Sequence, residues 1–218
     1  MHFDTGLILR NLPLFLDGMQ VTVGLSALAF ALALAWGLAV LAGARAARRP
    51  LRLATAGYIQ AVRNTPVLVQ MYFFYFGSGM AGFPLSGFTA GLLALVLQNG
   101  AYFAEIYRSG IESVSRRQVE AGLALGMLRR QAFFIVVLPQ AIRRVVAPMS
   151  NQGVALIKDT ALVSTISVAE MTYQGRLIAD RTAAVYEVFF TLALLYLLLV
   201  SVFTGAMRLL ESRVRVGA

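Results

Sequence analysis

The sequence contains no cysteine and one histidine, His2. Without a thiol there is no disulfide framework, no cysteine nucleophile and no thiolate metal site. One histidine at the first turn of the chain gives no nucleophile–base constellation, so no catalysis and no bound metal are expected here. No GxxxxGK[ST] segment occurs, so the chain offers no phosphate loop for a nucleotide. Charge is scarce: 13% of the residues are charged, against about 25% in ordinary soluble domains. The opening MHFDTGLILRNLPLFLDG lacks the basic start, single apolar block and small-residue site of a cleavable signal. No internal repeat and no soluble domain is visible.

What is present is hydrocarbon. Hydrophobic residues make up 59% of the 218, and the mean hydropathy is +0.74. Lipid is therefore the expected solvent, and the length suits one all-α polytopic membrane domain of about five spanning helices. Expected spans are 19–44, 53–76, 88–107, 149–171 and 183–207. Residues 1–18 read as a short external or interfacial lead, with Leu12, Phe15 and Leu16 on its apolar side. Residues 209–218 read as a tail. Gly91 and Gly100 would let another helix approach the third span closely.

The net charge of +9 could suggest nucleic acid, but the arginines sit in short loops between apolar runs. That pattern sets membrane orientation instead. The loop at 45–52, the loop at 108–132 and the end from Arg208 onward carry four, five and three basic residues, and Arg143 and Arg144 add to them. The opposite side holds Arg10, Arg176 and Arg181, offset by Asp4, Asp17, Glu170 and Asp180. The expectation is an N-terminus outside and a C-terminus inside, in a bacterial inner membrane.

The stretch 117–141 interrupts this apolar chain. Val119, Gly122, Leu123, Gly126 and Met127 share a helical face by spacing. Gln118 and Glu120 lie where the helix dipole favours negative charge. Leu138-Pro139 marks the expected start of a new helix. On spacing alone, this short helix docks another protein or lies on the membrane surface.

The segment resembles the EAA loop of type I ABC importer permeases: Glu120, Ala121, Gly126, Leu138 and Pro139 fall at the motif's offsets. Gly122 replaces its second alanine, and Arg117 stands where a glycine is usual. Gln60, Arg63, Asn64, Thr65 and Pro66 resemble the QxxRxTP signature of polar amino-acid permeases. Tyr102, Glu105, Arg108, Gly110 and Ile111 resemble the AYxxEIxRxGI stretch before the loop. Lys158, Asp159, Thr160, Leu162 and Ser164 resemble the KDTSL region, with Ala161 for its serine. Together these segments cover roughly residues 18–210.

The resemblance implies a permease subunit of a polar amino-acid importer. Its expected partners are a dimer of ABC ATPase subunits, a second permease (a copy or a paralogue) and an external solute-binding protein. ATP and magnesium would be bound by the ATPase, with no cofactor on this chain. Gln118, Glu120, Ala121, Gly122, Gly126, Leu138 and Pro139 would couple to the ATPase. Lys158, Asp159, Thr160, Ser164, Gln98 and Tyr102 are candidates for the substrate path, since intramembrane polar groups are functional candidates by default. The alternative for Lys158 and Asp159 is a Lys–Asp network between helices. Arg63, Asn64, Thr65, Pro66, Glu105 and Arg108 are structural polar candidates, with Glu105 and Arg108 paired three residues apart. The same architecture could import another solute, such as an opine or an osmolyte. An ion-coupled secondary transporter would need an inverted repeat, which is not visible.

Overall fold

The computed structural model describes residues 3–215; His2 lies outside them, as does the end of the tail at 216–218. Among the described residues all regular structure is helical. Nine α-helices follow in order: α1 Thr5–Ala44, α2 Arg49–Arg63, α3 Val67–Met80, α4 Gly87–Glu112, α5 Arg116–Ala124, α6 Arg129–Ala132, α7 Leu138–Asp159, α8 Met171–Thr182 and α9 Val185–Arg215. A π-helical turn, Phe133–Val137, joins α6 to α7, and a 3-10 segment, Thr160–Ile166, follows α7. Four helical stretches are long and apolar enough to cross a membrane: Thr5–Ala44, Gly87–Glu112, Arg129–Ile166 and Val185–Arg213.

α1 is the spine. Its 40 residues extend about 60 Å at the usual rise, twice the hydrocarbon thickness of about 30 Å. Three apolar clusters string along it. Phe15 packs with Met171, Ile178, Val188 and Leu192 at one end, joining α1 to α8 and α9. Leu25 and Ala29 sit in the middle with Met71, Ala94, Leu95, Leu156 and Val163. Val40 closes the other end with Ile59, Ala101 and Ala104. Trp36 and Val163 lie directly on the α4 backbone at Gly100 and Gly91, the close approaches expected of those glycines.

The lead is not a separate element. Residues 5–18 are the first turns of α1, started by Asp4, whose carboxylate accepts the Leu7 N–H at 2.9 Å. Leu7, Ile8, Leu14 and Phe15 recur at helical spacing and face α8 and α9, whereas Leu12 and Leu16 point outward. That buried stripe carries the helix through Pro13, which costs one bond to the Leu9 carbonyl.

The expected second span, 53–76, is two helices. α2 stops at Arg63 because Pro66 has no N–H to continue the ladder and pushes Thr65 out of the helical region. α3 starts immediately after it. The expected fourth span, 149–171, is displaced. Helix runs unbroken from Arg129 through the π turn and α7, tightens to 3-10 after Asp159, and ends at Ser167 with φ 63°. Leu138 and Pro139 therefore lie within a helical rod rather than at its start, and the second half of 117–141 begins a candidate span. The π turn just before Pro139 gives the ring the room that a regular turn would deny it. α4 runs five residues beyond the expected end of the third span, and α9 extends through most of the tail.

Candidate functional site: a short exposed helix and a polar cavity

α5 lies outside all four candidate spans. Val119, Gly122, Leu123 and Met127 turn inward, and Gly122 is the buried one. A Cβ on Gly122 would lie 3.2 Å from the Met127 sulfur and 3.9 Å from the Ala132 Cβ. Gly122 thus packs against its own chain, which corrects its expected place on a gripping face. The face left open carries Gln118, Glu120, Ala121 and Ala124, and then two large apolar residues: Leu125 is 82% exposed and Leu128 69%. Neither leucine stood out in the sequence, although both follow the helix directly.

Gly126 ends α5. Its N–H donates to the Leu123 carbonyl at 3.0 Å, and the Met127 N–H donates to the Gly122 carbonyl at 3.1 Å. This is the Schellman arrangement, which needs a left-handed residue at the position after the cap, and Gly126 has φ 86°. Gln131 fixes the next turn, its side-chain oxygen accepting the Leu128 N–H at 2.8 Å. Pro139 is exposed and Leu138 half-buried, both well along the rod that starts at Arg129.

The second group lines a cavity of about 430 Å³ between α2, α4 and α7. Glu105 holds Arg108 at 2.8 and 3.1 Å and has Arg63 at 3.6 Å. Arg108 also reaches Glu112 at 2.9 Å. The Arg63 guanidinium stands 5.0 Å over the Tyr102 ring, a cation–π placement. Arg144 and Gln152 complete the lining. Arg144 donates to the Ser113 carbonyl and ties α7 to the end of α4. Gln152 donates to Asn99 at 2.8 Å.

The break between α2 and α3 is stitched from the other side. The Gln70 amide nitrogen sits 3.0 Å from the Val62 and Thr65 carbonyls and 2.6 Å from the Gln98 oxygen. Gln98 is therefore engaged with α3. Asn64, Thr65 and Pro66 form the break itself, and the Thr65 hydroxyl donates to the Ala61 carbonyl at 2.8 Å.

The expected path residues at the end of α7 do not join this cavity. Lys158 is exposed and Asp159 half-buried, and no ion pair links them or either of them to another helix among the described residues, so the Lys–Asp network is not formed. Thr160 and Ser164 are buried, and their hydroxyls donate to the Ile157 and Ala161 carbonyls, both at 2.7 Å. Ser164 spends its polarity on its own backbone, while the Thr160 hydroxyl also meets the Tyr196 side chain of α9. Among the described residues no three His, Cys, Asp or Glu side chains gather as a metal site would need.

Sequence reasoning also passed over Glu170. It is fully buried, accepts the Tyr173 N–H at 2.8 Å as the cap of α8, and accepts the Tyr196 hydroxyl at 2.9 Å. The Thr22 hydroxyl lies 3.4 Å from it and accepts the Met171 N–H at 3.2 Å. One carboxylate thereby ties α1, α8 and α9 between the spans. Burial pushes the Glu170 carboxyl above the ordinary carboxylate range, opposed by the hydrogen bonds it accepts. Glutamate is not a favoured cap, so nothing local in the sequence marks it.

Residues 31–216 match the model of a family described as the inner membrane component of binding-protein-dependent transport systems. The chain belongs to that family. The glutamine transport system permease protein GlnP of Escherichia coli is 37% identical to this permease over 99% of this chain and 100% of its own. The probable glutamine ABC transporter permease protein GlnM of Bacillus subtilis is 33% identical, covering 96% and 97%. The nopaline transport system permease protein NocM of Agrobacterium fabrum is 32% identical, covering 95% and 90%. A solved structure described as an amino acid ABC transporter with histidines superimposes with a TM-score of 0.92 at 33% identity, over 98% of this permease and all of that chain.

Proposed function

We propose that this permease carries a polar amino acid inward across a bacterial inner membrane as the spanning subunit of an ATP-driven importer. The relatives' names support the substrate class. The observation that carries the mechanism is α5: a short helix outside the spans, locked by a left-handed glycine, presenting Gln118, Glu120 and Ala121 beside the exposed Leu125 and Leu128. Exposed apolar side chains on a rigid polar helix suit a groove on another protein. That protein is an ABC ATPase dimer, which holds the ATP and magnesium. With α2 and α3 together making a fifth crossing beside the four long spans, the arginine asymmetry supports α5 inside the cell, the N-terminus outside and the C-terminus inside.

Two permeases, as copies or paralogues, would enclose the path, and an external solute-binding protein would deliver the solute. Closure of the ATPase dimer would pull two α5 helices together and tilt the rods that begin at Arg129, a rigid-body switch. The Arg63–Glu105 cavity offers both charge signs that a zwitterionic solute requires. Lys158 and Asp159 remain path candidates only through faces that meet a second permease.

The test is uptake into liposomes holding the permease with its ATPase, in the presence of the binding protein. Labelled glutamine should accumulate only with internal ATP. Uptake driven by an ion gradient without the ATPase would instead make it a secondary transporter. Opine import is the second reading, favoured by the likeness to NocM, and competition by nopaline in the same assay decides it.

A further inference from the structure

The α1–α2 turn, ARAARRPLR, holds Arg45, Arg48, Arg49 and Arg52, and no acidic residue occurs between Asp17 and Glu105. All four arginines are exposed, and none forms an ion pair among the described residues. Orientation by positive charge accounts for the arginines but not for what lies beside them. The end of α1 and the start of α2 line a groove of about 720 Å³. They meet at its foot, where a Cβ on Gly43 would lie 2.6 Å from the Thr55 methyl. Trp36, Ala39, Val40, Leu51, Ala54 and Tyr58 form its walls.

The polar groups of these walls are already used. The Trp36 indole donates to the Tyr58 hydroxyl at 2.8 Å, and Tyr58 donates to the Leu97 carbonyl at 2.6 Å. The Thr55 hydroxyl donates to the Leu51 carbonyl at 2.9 Å. The groove therefore shows a ligand only hydrocarbon, while the turn that joins its two walls carries only cations. A polar solute has no partner inside it. A second copy seated there would bury arginines that this chain leaves unpaired, at a cost that only matching acids could offset. An amphiphile with an apolar tail and an anionic head satisfies both parts, and the groove runs along the last turns of α1, next to the arginine-bearing turn.

We infer that this groove binds one anionic phospholipid of the leaflet facing the α1–α2 turn, with an acyl chain along Ala39 and Ala54 and its phosphate on Arg48, Arg49 and Arg52. This depends on the membrane placement of α1 and not on the transport reading, so either can fail alone.

Native mass spectrometry of the full chain, released from nanodiscs with equal dioleoyl-phosphatidylglycerol and dioleoyl-phosphatidylcholine, tests it. The wild type should retain phosphatidylglycerol at least about tenfold over phosphatidylcholine. R48Q/R49Q/R52Q should lose the preference. Ala54→Trp, which fills the groove and leaves every charge in place, should lose the retained lipid. Ala39→Phe on the opposite wall serves if Ala54→Trp does not reach the membrane. No preference in the wild type, or wild-type retention by either the charge or the filling variant, overturns the inference. A disulfide between two copies of Ala54→Cys overturns it too, since the second copy would then occupy the groove.

Discussion

Gly126 and Gly122 stand four residues apart in one motif and do different work. Gly126 has open space around it, so its constraint is the backbone alone. A β-branched residue there costs roughly 1–2 kcal/mol, whereas asparagine tolerates the left-handed region. Gly126→Val should therefore lower ATPase stimulation in proteoliposomes severalfold, and Gly126→Asn should stay near wild type. Gly122 is helical, and its constraint is space. Its neighbour is the flexible tip of Met127, so Gly122→Ala should fit and alter stability by no more than about 1 kcal/mol, with the better helix propensity offsetting the squeeze. Gly122→Leu should not fit. Thermal unfolding of the two purified variants separates them. Glu170 is the residue whose loss should cost most outside the motif. Glu170→Ala leaves the Tyr173 N–H without its acceptor and the Tyr196 hydroxyl with Thr172 and Thr160, at roughly 1–3 kcal/mol, and Glu170→Gln should recover part of it in the same assay.

Elements show how far the sequence was legible. α4 and α9 were readable because long apolar runs bounded by charge or turns need no tertiary information. The α2–α3 break was half readable. Pro66 announced a bend, but only the structure shows Gln70 reaching back to satisfy Val62 and Thr65. Gln70→Leu should expose that dependence, lowering the unfolding midpoint by an amount equivalent to about 1–2 kcal/mol. The start of α1 was misread as a lead because Arg10, Pro13 and Asp17 interrupt it; the stripe that binds it, Leu7 to Phe15, gains meaning only opposite α8 and α9. The rod from Arg129 was misread because proline and paired arginines look like boundaries. The π turn that accommodates Pro139 has no signature in composition. In the site itself, the pairing of Glu105 with Arg108 followed from spacing, whereas Arg144, Gln152 and Glu170 act across 26 residues or more and had no local mark.

The whole molecule is a membrane bundle in which energy is expected to enter at one exposed helix. Everything that α5 presents outward sits on a single short segment between the end of α4 and the rod that begins at Arg129. A force on it would act directly on both. The central claim is that an ATPase grips the face carrying Glu120, Leu125 and Leu128. The direct measurement is co-purification of the co-expressed ATPase with affinity-tagged permease, comparing wild type with Leu125→Asp/Leu128→Asp at matched membrane levels. Both leucines are exposed, so the substitutions spare the core. Loss of the ATPase from the double variant, with the permease still in the membrane, is the predicted result. Full co-purification would contradict the account.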